Sequence, residues 1–213
     1  KTLAQQADHL YGFGVDGIDF GMLSVKDAAG IKYTSLKAHA DSMAVYGFDS
    51  DDFQLSASNI NLEYNKASLL GRELNFSGTN LNGSSRNLEI PTGDPAQPIT
   101  LDFSGKRLGV FAGEVTLQLS QFMYVQGSIG FQQGGFNNFV AGSSLPLGPL
   151  TGFSIGGSNI DVFVGYASAG FDRTKTFAQQ AANLYGFGAE GIDFGLLQLK
   201  SAAGTSYTAA KAH

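Results

Sequence analysis

Hydrophobic and polar residues alternate along several long stretches of the chain, and this alternation is typical of β-strands. In the first such stretch the apolar positions pass from Leu36 and Ala38 to Met43 and Val45, so the phase of the alternation changes near the middle. One extra residue moves every later side chain to the opposite face, so each change of phase predicts a bulge or bend. Three stretches show such a change: 32–47, 53–64 and 115–131.

One short helix is predicted near the start of the chain, over 3–10. Thr2 and Gln5 have the spacing of a capping box, in which each side chain bonds a backbone N–H near the helix start. A similar segment recurs at 176–184 and keeps both residue types, as Thr176 and Gln179.

Glycine and proline are concentrated in two stretches, 77–98 and 141–158, which are predicted to be surface loops. No alternation of strands with long helices is visible, so an antiparallel arrangement is favoured. We therefore predict an all-β fold with long antiparallel strands, bulges and one short helix per repeated unit. The strands are expected in packed layers, as a sandwich or an elongated solenoid-like form.

The chain contains a long internal repeat. Residues 1–39 and 175–213 align without a gap, 174 residues apart, and are identical at 26 of 39 positions. Residues 1–174 are therefore interpreted as one full repeat unit, and 175–213 as the start of the next. A period of this length suits a domain-sized tandem repeat better than the 20–50-residue coil of a solenoid. We expect the chain to be part of a longer array.

Composition excludes several kinds of site. The chain has 13 basic and 18 acidic residues, 29 glycines and no cysteine. Without cysteine it has no thiolate metal site, no disulfide and no thiol nucleophile. A net charge of −5 and the lack of a Lys/Arg cluster argue against a nucleic-acid partner. The sequence contains no run of 18 apolar residues, so it predicts no transmembrane helix.

Candidate chemistry is sparse. Asp49, Asp51 and Asp52 are a candidate site for Ca²⁺, which prefers oxygen ligands, but a solvated turn is the favoured interpretation because the EF-hand pattern is absent. His39 and Asp41 share a strand face without an evident nucleophile. We therefore predict no catalytic residue, no required cofactor and no enzymatic activity.

Aromatic residues recur at matching positions of the two copies. Tyr11 and Phe13 reappear as Tyr185 and Phe187, which makes them candidates for an interaction surface. Such a surface would suit a β module that binds a glycan or a lipid. A fragment of an outer-membrane β-barrel is a further alternative, although the phase changes would place apolar side chains on both faces of its sheet.

A recurring order of strand and turn positions runs through 32–170: Leu36, Lys37, Ala38, Val45, Gly47, Leu55, Ala57, Leu62 and Asn65, followed by Val125, Gly127, Ile129 and Phe131. This order of segments resembles a repeat of giant bacterial surface or secreted proteins, the multi-repeat polypeptides of hemolysin-type or adhesin-like character. The resemblance implies a non-enzymatic structural or adhesive module that builds a fibre or spacer, extracellular or at the bacterial cell surface. It implies as partners the neighbouring units of the same chain or identical chains, and also cell-surface glycans.

Overall fold

The computed structural model describes residues 3–49, 52–69, 71–136 and 148–213. Two short 3₁₀ helices and ten strands follow one another along these residues. The helices span Ala4–His9 and Ala178–Asn183. The strands are β1 Gly12–Lys26, β2 Lys32–Tyr46, β3 Phe53–Ala67, β4 Leu88–Ile90, β5 Ile99–Leu101, β6 Arg107–Leu119, β7 Met123–Phe136, β8 Leu150–Ala167, β9 Leu184–Ser201 and β10 Ser206–Ala212.

Eight strands form one sheet in the order β1-β2-β3-β6-β7-β8-β9-β10, and β4 pairs with β5 in a second, small sheet. Every pair of neighbouring named strands is antiparallel. The predicted all-β, antiparallel character is therefore confirmed. A second layer of strands is described only where β4 and β5 lie against β1 and β2.

The long strands bend near their middles. Residues in a regular strand have negative φ angles, and the bends are marked by residues in the left-handed region. These are Gly17 (φ 62°), Asn59 (49°), Asn159 (51°) and Gly191 (67°). The predicted bend within 53–64 is thus confirmed at Asn59. The interpretation of 115–131 as one strand is wrong, because β6 ends at Leu119 and a tight turn leads into β7. A reversal of the chain changes the phase of the alternation just as a bulge does, so the pattern alone did not separate the two.

The predicted helices exist as single 3₁₀ segments. In the second, the backbone N–H of Gln179 bonds the hydroxyl of Thr176 at 3.2 Å, and the N–H of Thr176 bonds the Gln179 carbonyl oxygen Oε1 at 2.9 Å. This reciprocal pair is the predicted capping box. For the first helix, Thr2 lies outside the described residues.

The two predicted loops contain strand. β4 lies within 77–98, and β8 begins at Leu150, while 141–147 lie outside the described residues. The glycines of 141–158 predict a loop, but in the described part of this stretch Gly152 lies in β8, where the backbone of β9 approaches closely. A Cβ on Gly152 would overlap the backbone of Gln198 and lie 2.9 Å from the Cα of Leu199. Glycine in this strand therefore permits close contact between backbones.

Two small hydrophobic clusters lie against the large sheet. The first belongs to the β3–β6 connection, residues 68–106, called the insert below; its buried members Phe76, Leu101 and Phe103 pack with Leu23 of β1 among others. The second joins β7 and β8 to the segment around the second helix. Its members are Tyr124, Phe163 and Ala167, with Phe171, Phe177 and Leu184 packed against them.

The two similar segments of the sequence fold into hairpins of the same register. Met22 pairs with Leu36 in the first hairpin, and their counterparts Leu196 and Ala210 pair in the second. The second hairpin also pairs with β8, where Ile155 lies opposite Leu196. The β8–β9 pair therefore joins residues on both sides of position 174 in one sheet.

Candidate interaction surfaces

The large sheet has two chemically different faces. A Cβ placed on Gly21 would meet Ile99 at 2.9 Å and Ile90 at 3.0 Å, so Gly21 faces the insert. Neighbouring strand residues point to opposite faces, so Phe20 and Met22 face away from it. We call the side that carries the insert the capped face and the other side the apolar face.

The apolar face continues across the bends of the strands. Residues above the bends, such as Phe13, Met43 and Leu55, line one apolar depression together with Ile60, Val110 and Phe131 below them. Each bend lies where the alternation in the sequence changes phase. Odd-numbered and even-numbered positions exchange faces there, so the apolar positions on both sides of the bend lie on the apolar face. The bend therefore keeps these apolar positions on one face of the sheet.

Large apolar side chains on this face are exposed. Phe20 is 64% exposed and Met22 is 56% exposed, and Val164 and Tyr166 on β8 are exposed as well. Most soluble monomers expose no contiguous apolar patch of more than a few hundred Å². The apolar face is therefore a candidate interaction surface.

The four aromatic residues singled out from the sequence lie at one end of the strands, on or beside this face. Tyr11, Phe13, Tyr185 and Phe187 are 86%, 63%, 64% and 71% exposed. Tyr185 lies opposite Tyr166 in the β8–β9 pair, so its ring adjoins a second aromatic position. Their exposure suits a contact role, and the role itself stays a prediction.

Lysines lie at the other end of the strands. Lys26 pairs with Lys32 next to the β1–β2 turn, and Lys66 and Lys200 occupy the same end of β3 and β9. All four are exposed. Their positions follow the parity of Met22 and Leu196, which places them on the border of the apolar face.

The capped face holds the segments that carry the two helices. The backbone N–H of Leu3 donates to Asp16 Oδ2 at 2.8 Å, and the N–H of Phe177 donates to Glu190 Oε1 at 2.7 Å. These pairs occupy matching positions of the two copies, so the exchange of Asp for Glu preserves the contact. Each helix is thereby attached to the strand that follows it.

A buried asparagine fastens the insert to the sheet. Asn65 is 1% exposed, and its amide nitrogen donates to the carbonyl oxygens of Leu74 at 2.8 Å and Gly105 at 2.9 Å. Its own carbonyl oxygen accepts the hydroxyl proton of Ser35 at 2.8 Å. Sequence reasoning named Asn65 only within the resembling pattern, because alternation does not show which polar strand residues are buried.

Aspartates join β8 to β9 at the bend. Asp193 Oδ1 accepts the N–H of Asn159 at 2.9 Å, and Asp161 Oδ1 accepts the N–H of Gly191 at 2.8 Å. The N–H of Asn159 and then the hydroxyl of Ser158 lower the pKa of Asp193. Asp19 is the counterpart of Asp193 on β1 and is exposed.

An open cleft of about 770 Å³ crosses the strands from β3 to β10. Its walls include Phe111 and Gly130 in the centre of the sheet, and Gly195, Leu197 and Lys211 in the second hairpin. The cleft therefore contains the residues of the second hairpin whose counterparts on the first hairpin contact the insert.

The calcium candidate is only partly described. Asp49 and Asp52 lie in the β2–β3 turn, where the N–H groups of Asp52 and Phe53 donate to the Asp49 carbonyl oxygen, while Asp51 lies outside the described residues. In the described part of the chain, no group of three or more His, Asp or Glu side chains could hold a metal ion. Calcium binding at this turn stays a prediction.

His39 lies near the bend of β2. Its Nε2 is 3.3 Å from Asp41 Oδ1, and its Nδ1 is 3.1 Å from Asn61 Oδ1. An aspartate on one nitrogen and an amide on the other orient the ring. Both contacts fit a structural hydrogen-bond network, and the prediction that the chain has no catalytic residue stays untested.

No protein-family model, no curated protein and no solved structure matches this chain. Among the described residues, none of the helices is long and apolar enough to cross a membrane.

Proposed function

We propose that this chain is a structural module of a tandem array in which successive units share one antiparallel sheet. One observation carries the proposal: β9 repeats the sequence of β1 and pairs with β8 over its length. In this arrangement the boundary between units falls inside the sheet. A unit of this kind cannot be separated from its neighbour without exposing two strand edges, which supports a role in building length.

The free edge of β1 supports the same arrangement. β1 keeps the Asp19 that, as Asp193 in β9, accepts a backbone N–H of β8. The β8 of a preceding unit would pair with β1 in the register of the β8–β9 pair, which brings Ile155 opposite Met22. A long unpaired strand edge is a template for another strand. The free backbone N–H and C=O groups of β1 are therefore suited to pair with the β8 of a preceding unit.

The geometry sets the length that each unit adds. Six strands of each 174-residue unit, β1, β2, β3, β6, β7 and β8, enter the large sheet. Neighbouring strands lie about 4.8 Å apart, so each unit adds about 29 Å along the sheet. Negative-stain electron microscopy of chains with one, two and four units measures this increment. Compact particles whose length does not grow with unit number would refute the proposal.

A glycine at the junction supplies a sharper test. A Cβ on Gly186 would overlap the carbonyl oxygen of Val164 and lie 2.6 Å from the Cα of Gly165. Gly186→Val is therefore expected to detach β9 from β8 and to accelerate amide hydrogen exchange throughout β9. Gly195→Val is the matched control on the same strand, because no described heavy atom beyond its chain neighbours lies within 4 Å of its Cβ position. Equal exchange in the two variants would contradict a junction within the sheet.

In this proposal the apolar faces of two arrays pack against each other. Stacked sheets lie about 10 Å apart, so this packing supplies the layered architecture expected from the sequence and yields a fibre or spacer. The proposed setting is extracellular or at the bacterial cell surface, and the role is non-enzymatic. The proposed partners are neighbouring units of the same chain or identical chains.

A second candidate, a lipid-binding module, is favoured by the lysine border of the apolar face. Lys26, Lys32, Lys66 and Lys200 would meet anionic headgroups while Phe20 and Met22 contact acyl chains. Vesicles of phosphatidylcholine with phosphatidylglycerol should then sediment more of the chain than vesicles of phosphatidylcholine alone, and Phe20→Asp should release it. Asn82→Asp, in an exposed loop of the insert, is the matched control. Absence of sedimentation with both lipids would remove this candidate.

A further inference from the structure

One glycine of the first hairpin is covered by the insert, and its counterpart in the second hairpin has no side chain packed over it. Gly21 lies under Ile90 and Ile99 of the insert, where any Cβ would be crowded. Gly195 occupies the same position of β9, and no described heavy atom beyond its chain neighbours lies within 4 Å of its Cβ position. Glycine at this place is explained by packing in the first hairpin and has no local packing reason in the second.

Two further residues of the insert's seat recur in the cleft. Leu23 packs against the cluster of the insert, and its counterpart Leu197 lines the cleft. Lys37 Nζ is 2.8 Å from Asp102 Oδ1 of the insert, and its counterpart Lys211 also lines the cleft. A small residue, an apolar contact and a cation are thus repeated in the same arrangement.

We infer that this part of the cleft, formed by Gly195, Leu197 and Lys211, is the docking seat for a second copy of the insert. The occupant is the insert of the second unit, the counterpart of residues 68–106 in the unit that β9 and β10 begin, so the inference rests on the proposed function and adds to it the contact that holds the insert on the capped face of each unit. In the docked state Lys211 pairs with the Asp102 of that copy, and its Ile90 and Ile99 cover Gly195.

One contact of the first seat has no counterpart. Ser35 donates to Asn65 in the first hairpin, whereas Ala209 at the matching position has no side-chain donor. The second seat therefore holds the insert through the lysine and the apolar contacts, and the Asn65 of that copy keeps its bonds to the Leu74 and Gly105 of its own unit.

The test uses the full chain lengthened after His213 by a copy of residues 40–174, which completes the second unit. Leu81→Val in the added copy marks its insert peptides for mass spectrometry, because Leu81 is fully exposed. Gly195→Val is expected to raise amide exchange in the added insert about 5- to 140-fold, since overpacking costs about 1–3 kcal/mol and about 1.4 kcal/mol is tenfold. The original insert is the internal control and should be unchanged.

Charge exchange tests the same seat by a second route. Lys211→Glu should also accelerate exchange in the added insert, and Asp102→Lys in the added copy should restore protection. In the 213-residue chain Gly195→Val should leave the unfolding temperature unchanged, which shows that the effect requires the second insert.

The outcomes separate the two proposals. If contour length grows by about 29 Å per unit but neither variant changes exchange in the added insert, the docking seat is wrong and the shared sheet stands. If contour length does not grow, the proposed function itself fails. A loss of protection in the added insert, with rescue by the exchanged charges, establishes the seat.

Discussion

Replacement of Asn65 by alanine is expected to loosen the insert from the sheet. The side chain is 1% exposed and makes hydrogen bonds to Ser35, Leu74 and Gly105. Each such bond contributes about 1 kcal/mol net, so Asn65→Ala should lower the free energy of unfolding by about 3 kcal/mol. A chain of this size loses about 2–4 °C of unfolding temperature per kcal/mol, which predicts a shift of about 6–12 °C.

Differential scanning calorimetry measures this shift, and two variants serve as controls. Ser35→Ala removes one of the three bonds and should cost about 1 kcal/mol, or about 2–4 °C. Asn82→Ala removes contacts of an exposed loop with Ser84 and should change the stability by less than about 0.5 kcal/mol. If Asn65→Ala shifts the transition no more than Ser35→Ala does, then the bonds to the insert contribute nothing and the reasoning is refuted.

Three further predictions concern packing and pH. Gly21→Val should lower the stability by about 1–3 kcal/mol because its side chain would crowd Ile90 and Ile99, and an unchanged thermal transition would contradict that packing. Burial raises the pKa of Tyr124 to about 12, so the free energy of unfolding should fall between about pH 10 and 12. In urea unfolding Tyr124→Phe should lose this pH dependence, and the same pH dependence in the variant and the original chain would count against burial of the phenol. Hydrogen bonds from Lys175 and Thr174 lower the pKa of Asp172, so its stabilising contribution should be lost as the pH falls below about 3.8, and a carboxyl-carbon NMR titration with an ordinary midpoint would contradict it.

Local pattern was sufficient for part of the fold. Strand alternation predicted the all-β class, and the repeat predicted that 1–39 and 175–213 fold alike, as their identical hairpin register shows. The capping pair Thr176 and Gln179 was also predicted, because a cap depends on residues three positions apart. These features share a cause: each depends on neighbours in the sequence.

Features that depend on distant segments were missed. The pattern treated 115–131 as one strand, although β6 and β7 are separate, and it assigned Gly152 to a loop, although β9 requires glycine there. It did not mark Asn65 as buried, since burial depends on the insert. Contacts between remote segments leave little trace in local alternation.

The sequence by itself determined that the strands are long, antiparallel and duplicated, because alternation with a period of two and a gapless repeat are properties of the linear chain. Only the tertiary structure decided which face is which. Bends at Gly17, Asn59 and Asn159 keep the apolar positions on one side, and the insert covers part of the other. Alternation is symmetric between the two faces of a strand, so the face that is capped depends on where the distant insert packs.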